Sequence, residues 1–197
     1  IYNILEKKGV SDVFMYSGGA IMPLIDQFYK GKINYYVNSH EQNCGHAATG
    51  YAKSSGKTGI SIVTSGPGLT NSITPLLDAT NDSTPFILLS GNVALNNVGT
   101  NAFQEAPSVE ITKPVTKWSY QVKNPNEIKN IMDEAFTIAN TGKKGSVHID
   151  LPKCILTSET NEKYEVPESY SNEIIKYSKS ISKIADIILN ANRPILY

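Results

Sequence analysis

Val37-Asn38-Ser39-His40-Glu41-Gln42-Asn43-Cys44 decides how this chain reads, because an apolar strand runs out there and delivers a carboxylate to the first turn of a helix. Two other turns repeat the arrangement. Ser17-Gly18-Gly19-Ala20 lies upstream and Thr64-Ser65-Gly66-Pro67-Gly68 downstream, each where an apolar run ends and a helical pattern begins. In an open parallel sheet the loops at the carboxyl ends of the strands converge on one crevice, where ligands bind. The three turns are therefore expected at one sheet edge, with Glu41 placed for chemistry.

Outward from that segment, apolar runs at 13–16, 33–37, 60–63, 86–89 and 147–149 read as strands. Between most of them, 21–29, 41–54, 69–81 and 126–140 carry apolar residues at helical spacing and are long enough for parallel crossovers. Gly31, Gly56 and Gly142 stand where such helices stop. The alternation predicts an α/β fold, an open and mainly parallel sheet with helices on both faces.

A length of 197 residues, 40% of them hydrophobic, supports one ordinary domain with a substantial core plus a remainder. Lys plus Arg equals Asp plus Glu at 18 each, so no global field favours nucleic acid or an anionic membrane surface as partner. The cysteines, Cys44 and Cys154, are too few for a disulfide framework and suit a reducing compartment, so a cytoplasmic protein is expected. No apolar run approaches the roughly 20 residues that span a bilayer, and the opening Ile1-Tyr2-Asn3-Ile4-Leu5 reads as amphipathic helix, not as a signal sequence. The missing initiator Met suggests a piece of a longer protein. The main domain is expected over 1–156. A linker then covers 157–173, polar and carrying Glu159, Glu162, Glu165, Pro167 and Glu168. From 174 a fresh helix pattern runs to 189, and Arg193-Pro194-Ile195-Leu196-Tyr197 reads as a first strand, so 174–197 is expected to begin a central domain.

Familiar motifs do not hold up singly. Gly56-Lys57-Thr58 ends like a phosphate loop, but Tyr51 stands where its first glycine should be and the segment precedes a strand. Gly66-Pro67-Gly68-Leu69-Thr70-Asn71 has two of the three glycines of a dinucleotide fingerprint. Ser65 has Val63 where a nucleophile elbow needs glycine. His40, His46 and His148 lack partners at zinc-ligand spacing, so no metal ligand is assigned within the chain. Even Glu41 alone could be an acid stabilised by a helix dipole at about 0.5 kcal/mol. The joint occurrence of these turns, in this order, is what carries weight.

That ordered set runs through Gly9-Val10, Ser17-Gly18-Gly19-Ala20-Ile21, His40-Glu41-Gln42, Ala47-Ala48, Gly50-Tyr51-Ala52, Thr64-Ser65-Gly66-Pro67-Gly68, Thr70-Asn71 and Gly99-Thr100. It continues through Ala102-Phe103-Gln104-Glu105, Ile111-Thr112-Lys113-Pro114-Val115-Thr116-Lys117, Thr141-Gly142 and Asp150-Leu151-Pro152. It resembles the amino-terminal, pyrimidine-binding domain of thiamine-diphosphate enzymes, most closely the acetolactate synthase (acetohydroxyacid synthase) large-subunit branch, over nearly the whole chain. The Ser-Gly-Pro-Gly turn is shared by many decarboxylases and carboligases, whereas Ala-Phe-Gln-Glu followed by Thr-Lys-Pro-Val-Thr-Lys is much narrower.

The resemblance implies that Glu41 bonds N1′ of the cofactor's aminopyrimidine and favours the imino tautomer that activates the thiazolium toward a 2-oxoacid such as pyruvate. Such a carboxyl group must be shielded from water, and the cofactor itself is the electron sink. The resemblance likewise implies that Gly18, Gly19, Ala20 and Asn71 lie at the cofactor and that Gln104 points toward the substrate pocket. Pro67, Phe103 and Lys117 resemble residues lining the access channel. Lys143 stands where the synthases commonly have an Arg that contacts FAD, keeping the charge but losing the planar fork, so FAD is a further cofactor the resemblance admits. Asn101, Thr49 and Ser17 depart from the usual Asp, Asp and Pro. The family's diphosphate and Mg2+ ligands belong to a separate carboxyl-terminal domain outside this sequence. A second subunit, in a homodimer or tetramer, is implied as partner, and a regulatory small subunit is left open. The expected activity is decarboxylation of pyruvate and transfer of the two-carbon unit to a second 2-oxoacid. The alternatives are another thiamine-diphosphate-dependent decarboxylase or carboligase, or a non-catalytic binding module that kept the fold.

Overall fold

The computed structural model describes residues 1–160, 164–165 and 178–195, the side chains of 178 and 179 excepted. Glu162, Pro167 and Glu168 of the expected linker, the start of the helix pattern at 174, and Leu196 and Tyr197 lie outside the described residues. The chain divides into two compact units, Ile1–Glu165 and Val166–Tyr197.

In the first unit, helix α1 (Tyr2–Lys7) leads into strand β1 (Asp12–Met15), and α2 (Met22–Ile25), prolonged by a 3-10 turn over Asp26–Phe28, returns the chain to β2 (Asn34–Val37). Helix α3 (Glu41–Ser55) crosses to β3 (Gly59–Val63), and the pair α4 (Pro67–Thr70) and α5 (Ile73–Asn81) crosses to β4 (Phe86–Asn92). Then α6 (Ser108–Thr112) precedes β5 (Trp118–Gln121), α7 (Ile128–Asn140) precedes β6 (Ser146–Pro152), and α8 (Lys153–Leu156) follows. The second unit contains α9 (Ser178–Asn190).

The strands form one sheet in the order β2-β1-β3-β4-β6-β5, and every neighbouring pair is parallel. Alternate residues of a strand face opposite sides, and the core follows that rule. Ile60 and Ile62 of β3, Ile87 and Leu89 of β4, and Val147, Ile149 and Leu151 of β6 pack with Leu5 of α1 and with Met132, Ala135 and Ala139 of α7. Val63, Phe86 and Leu88 face the other way, onto Ala48 of α3 and Leu76 and Ala79 of α5. Helices thus cover both faces, which is why the central strands read as largely apolar runs.

The chain moves outward from β1 in both directions, to β2 on one side and to β3 on the other, so the strand order reverses between β1 and β3. At such a switch point the loops after the two strands diverge and leave a crevice at their carboxyl ends. Those loops are the Gly18-Gly19 turn and the Thr64-Ser65-Gly66 turn.

Four local readings change. The helix pattern at 21–29 resolves into a single α-turn with Pro23 at its start and a 3-10 extension, too short for a full crossover helix. The pattern at 69–81 breaks at Asn71 and Ser72, where the Ser72 hydroxyl bonds the Gly68 carbonyl at 2.9 Å and the Asn71 side chain is drawn to Glu41. Strand β5 has no counterpart in the apolar runs. Residues 193–195 of the expected final strand are irregular, with no strand beside them among the described residues of that unit.

Candidate functional site

His40 caps α3, its Nδ1 accepting the Gln42 N–H at 3.1 Å, which makes Glu41 the first helical residue. Its extended backbone (φ −157°, ψ 144°) turns the chain from β2 into the helix. Glu41 is only 8% exposed, unusual for a carboxylate in a first turn. The Asn71 amide donates to Glu41 Oε2 at 3.0 Å, and Oε1 has no hydrogen-bond partner among the described residues. Asn71 can reach because it ends α4, which Gly66 and Pro67 start at the switch point. One carboxylate oxygen is therefore held by Asn71, and the other makes no hydrogen bond among the described residues.

Around the carboxylate, the turns touch through glycines. A Cβ on Gly18 would sit 2.4 Å from Thr64 Cβ, and one on Gly68 would sit 2.9 Å from Thr64 Cγ2, so Thr64 is wedged between two backbones that must be bare. Thr64 Oγ1 is buried without a hydrogen-bond partner. Gly66 has φ +52°, and a Cβ there would meet the Gln104 carbonyl oxygen at 2.5 Å. Ala20 backs onto Gly91 in the same way, 3.0 Å from a Cβ placed there. Gly19, by contrast, is exposed and has nothing within 4 Å of its Cβ position.

The segment 93–107 after β4 brings Phe103 and Gln104 to the same carboxyl-terminal edge. Gln104 is exposed and held at φ +58°, a left-handed conformation that few non-glycine residues adopt. Asn101 shares it at φ +58° and Gly99 at φ +83°. The Glu105 carboxylate folds the segment on itself by accepting the Gly99 N–H and, at 3.0 Å, the Ala102 N–H. The Gly99 bond, with the Ala102 N–H beside it, holds the Glu105 carboxyl below the usual range. Phe103 is 88% exposed, and Pro67 is exposed as well. Cys44, one turn after Glu41, is buried with its thiol pushed up to about 11 by desolvation, so it stays neutral and is no nucleophile.

Glu41, Asn71, Gly18, Gly19, Ala20, Pro67, Phe103 and Gln104 thus share one sheet edge, while Lys117 and Lys143 do not. Lys117 precedes β5 and Lys143 precedes β6, which places both at the amino-terminal edge. There the Lys117 ammonium donates to the carbonyls of Ile138 and Thr141, the latter at 2.8 Å, and burial lowers its pKa. A shallow recess of about 450 Å³ lined by Ala52, Lys53, Gly56 and Asp82 also opens at that far edge and contains none of the clustered residues. The sequence reading gave no role to Thr64 or Gly91. Thr64 heads its quoted turn, but its contact with Gly18 joins residues far apart in the chain.

A family model described as the thiamine pyrophosphate enzyme, N-terminal TPP binding domain, matches residues 1–111. The chain is 41% identical over 209 residues to the mitochondrial acetolactate synthase catalytic subunit of Saccharomyces cerevisiae, covering 100% of this chain and 30% of that protein. It is 39% identical over 202 residues to a probable acetolactate synthase large subunit of Methanocaldococcus jannaschii, covering 100% of this chain and 34% of the relative. To the acetolactate synthase large subunit of Lactococcus lactis subsp. lactis it is 45% identical over 163 residues, 82% of this chain and 28% of the relative. The chain spans about a third of the length of the curated relatives it matches. Since the matched region 1–111 is more than half the chain and contains Glu41, Asn71 and the glycine turns around the switch point, the chain belongs to the thiamine pyrophosphate enzyme family, as its N-terminal TPP binding domain.

Proposed function

We propose that the chain is the amino-terminal region of an acetolactate synthase-like carboligase that decarboxylates pyruvate and joins the two-carbon unit to a second 2-oxoacid. The observation that carries this reading is the Glu41 carboxylate, buried at a topological switch point with Asn71 on one oxygen and the other unpartnered. The site suits an aminopyrimidine on two further counts: Gly18, Gly66 and Gly68 allow the turns to close up, and Gly19 leaves open space beside them. Thiamine diphosphate, when bound, supplies the electron sink for loss of carbon dioxide from a 2-oxoacid.

Glu41 would hold a proton at Oε1 in a hydrogen bond to a ring nitrogen. Asn71 would fix the plane of the carboxylate, and the Gly18 and Gly66 turns would exclude water around it. Gln104, on the segment folded over Gly66, would orient the 2-oxoacid, with Phe103 and Pro67 at the mouth. Mg2+ and the diphosphate would be held, as the resemblance implies, by residues of a carboxyl-terminal domain outside this sequence. FAD as a second cofactor rests on Lys143 alone, which is exposed at the far edge. A second, regulatory kind of subunit agrees with the catalytic- and large-subunit names of the relatives, while a homodimeric or tetrameric enzyme rests on the resemblance alone. The two free cysteines suit a cytoplasmic setting. Among the described residues no helix is long and apolar enough to cross a membrane.

The test is carbon-13 NMR of the products formed by the full-length protein from labelled pyruvate with thiamine diphosphate and magnesium, with and without FAD. Labelled acetolactate is the expected product. Acetaldehyde alone would replace the carboligase with a decarboxylase, and untouched pyruvate would remove the substrate assignment. Glu41→Gln keeps the shape and an acceptor for Asn71 but cannot exchange the proton, so turnover is expected to fall by at least about 100-fold with the fold intact. Turnover near that of the unaltered enzyme would sink the role given to Glu41.

A further inference from the structure

Beneath α6 lies a buried polar network that the proposed chemistry does not use. Ser90 of β4, Ser119 and Gln121 of β5, and His148 and Asp150 of β6 stand in register on one face of the sheet. Asp150 is fully buried and accepts at Oδ2 from the Asn92 amide at 2.7 Å and from the Gln121 amide at 2.7 Å, and at Oδ1 from the Ser90 hydroxyl at 3.3 Å. With Ser90 donating to Asp150, the same hydroxyl accepts from His148 Nε2 at 2.8 Å, and His148 Nδ1 accepts from the Ser119 hydroxyl at 2.9 Å, while the Thr112 hydroxyl beside it donates to the Ser108 carbonyl at 2.7 Å. The network therefore has a consistent donor order with a neutral imidazole.

Its outlets lie at the two ends of the segment that carries Gln104. Asn92 is the last residue before that segment, and its Oδ1 accepts the Val93 N–H at 2.8 Å while its amide bonds Asp150. Ser108 is the first residue of α6 after it, and its hydroxyl accepts from the same Asn92 amide at 3.3 Å and also faces the Asp150 carboxylate. Thr112, at the end of α6, lies against His148 and donates back to the Ser108 carbonyl at 2.7 Å. The start and the return of the 93–107 segment thus converge on one buried carboxylate, while the segment itself is largely exposed and folds over Gly66.

We infer that Asp150 is a positioning residue for the substrate: through Asn92 and Ser108 it pins both ends of the 93–107 segment and so fixes Gln104 at the crevice. The inference rests on the reading of Gln104 as a 2-oxoacid contact, and its test separates the two.

Hydrogen exchange of 93–107 and the kinetic constants for pyruvate are measured on the full-length protein and four variants. Ser108→Ala removes only the returning link. Asn92→Asp sets two carboxylates against each other, Asp150→Asn sets amide against amide, and the double exchange restores an amide–carboxylate pair in reverse. Ser108→Ala is expected to speed exchange of 93–107 by roughly threefold to tenfold, the equivalent of one buried hydrogen bond, and leave the β3 and β4 amides unchanged. KM for pyruvate should rise by a similar factor with kcat within about twofold. Asn92→Asp should do more, and the double exchange should recover most of the loss. Asp150→Asn alone, if it does not fold, leaves the conclusion to Ser108→Ala and the double exchange. Unchanged protection of 93–107 in Ser108→Ala and Asn92→Asp overturns the inference, as does loosening spread evenly over the sheet. A loosened segment with unaltered pyruvate KM, in an enzyme that does consume pyruvate, overturns the link to Gln104. Pyruvate left untouched by the unaltered enzyme while 93–107 still responds would bring down the substrate reading and keep the pinning by Asp150.

Discussion

Gly18 and Gly19 are neighbours in one turn with opposite surroundings. A methyl group on Gly18 would be driven into Thr64, whose three side-chain heavy atoms lie at 2.4, 2.5 and 2.7 Å and which is itself buried among the strands. Gly18→Ala is therefore expected to destabilise the domain by about 1–3 kcal/mol, while Gly19→Ala, which meets nothing within 4 Å, should leave stability unchanged. Urea unfolding of the two variants checks this, and equal losses would mean that Thr64 can move aside. If both glycines approach the cofactor, Gly19→Ala should weaken thiamine diphosphate binding without touching stability, a separation that isothermal titration would show. At this scale the sequence was legible where a role follows from local order: Glu41 is visible because a strand hands it to a helix. The Asn71 bond to Glu41 spans 30 positions, and no spacing rule announces it. The placement of Thr64 against Gly18 was hidden for the same reason.

Elements were legible where burial on both faces made them apolar. Strand β5 escaped because its inner face is polar: Ser119 bonds His148, and Gln121 bonds Asp150 at 2.7 Å. On its other face Trp118 and Tyr120 stack on each other at 5.5 Å and pack against the core of the α1 and α7 side, only half-buried. A pattern reading that seeks apolar runs passes over such a strand, although the alternation of Trp118, Tyr120 and Val122 was a signal. Lys117, immediately before it, is tied to an element and not to the crevice in this chain, since its ammonium caps the carbonyls at the end of α7. Lys117→Met should remove that cap at about 1 kcal/mol, lowering the melting temperature by about 2–4 °C with KM for pyruvate unchanged. A shifted KM with unaltered melting would instead support the channel role that the resemblance gives Lys117.

For the whole molecule, the alternation of strands and helices was enough to predict the sheet, but two side chains on β6, whose partners only the fold supplies, contribute opposing responses to pH. Burial lowers the His148 pKa from 6.5 to about 3. Burial raises that of Asp150 from 3.8 to about 6, against the pull of its hydrogen-bond donors. A lowered histidine contributes stability that is present above 6.5 and lost as pH falls through about 3. A raised carboxyl contributes stability that is present below 3.8 and lost as pH rises through about 6. Between about pH 4 and 6 the unfolded chain carries a proton on His148 and the folded chain carries one on Asp150, so the proton counts match and the two slopes cancel. Removing either group exposes the other. Relative to the unaltered chain, Asp150→Asn should lose about 1 kcal/mol per pH unit as pH falls through this window, and His148→Asn should gain about as much. Urea unfolding of the three proteins at several pH values between 4 and 7 measures the difference, in which the remaining titrating groups drop out. Parallel curves for the two variants would mean that His148 and Asp150 do not trade a proton on folding; slopes of opposite sign would make the network beneath α6 the reason the domain holds its stability across mildly acid conditions.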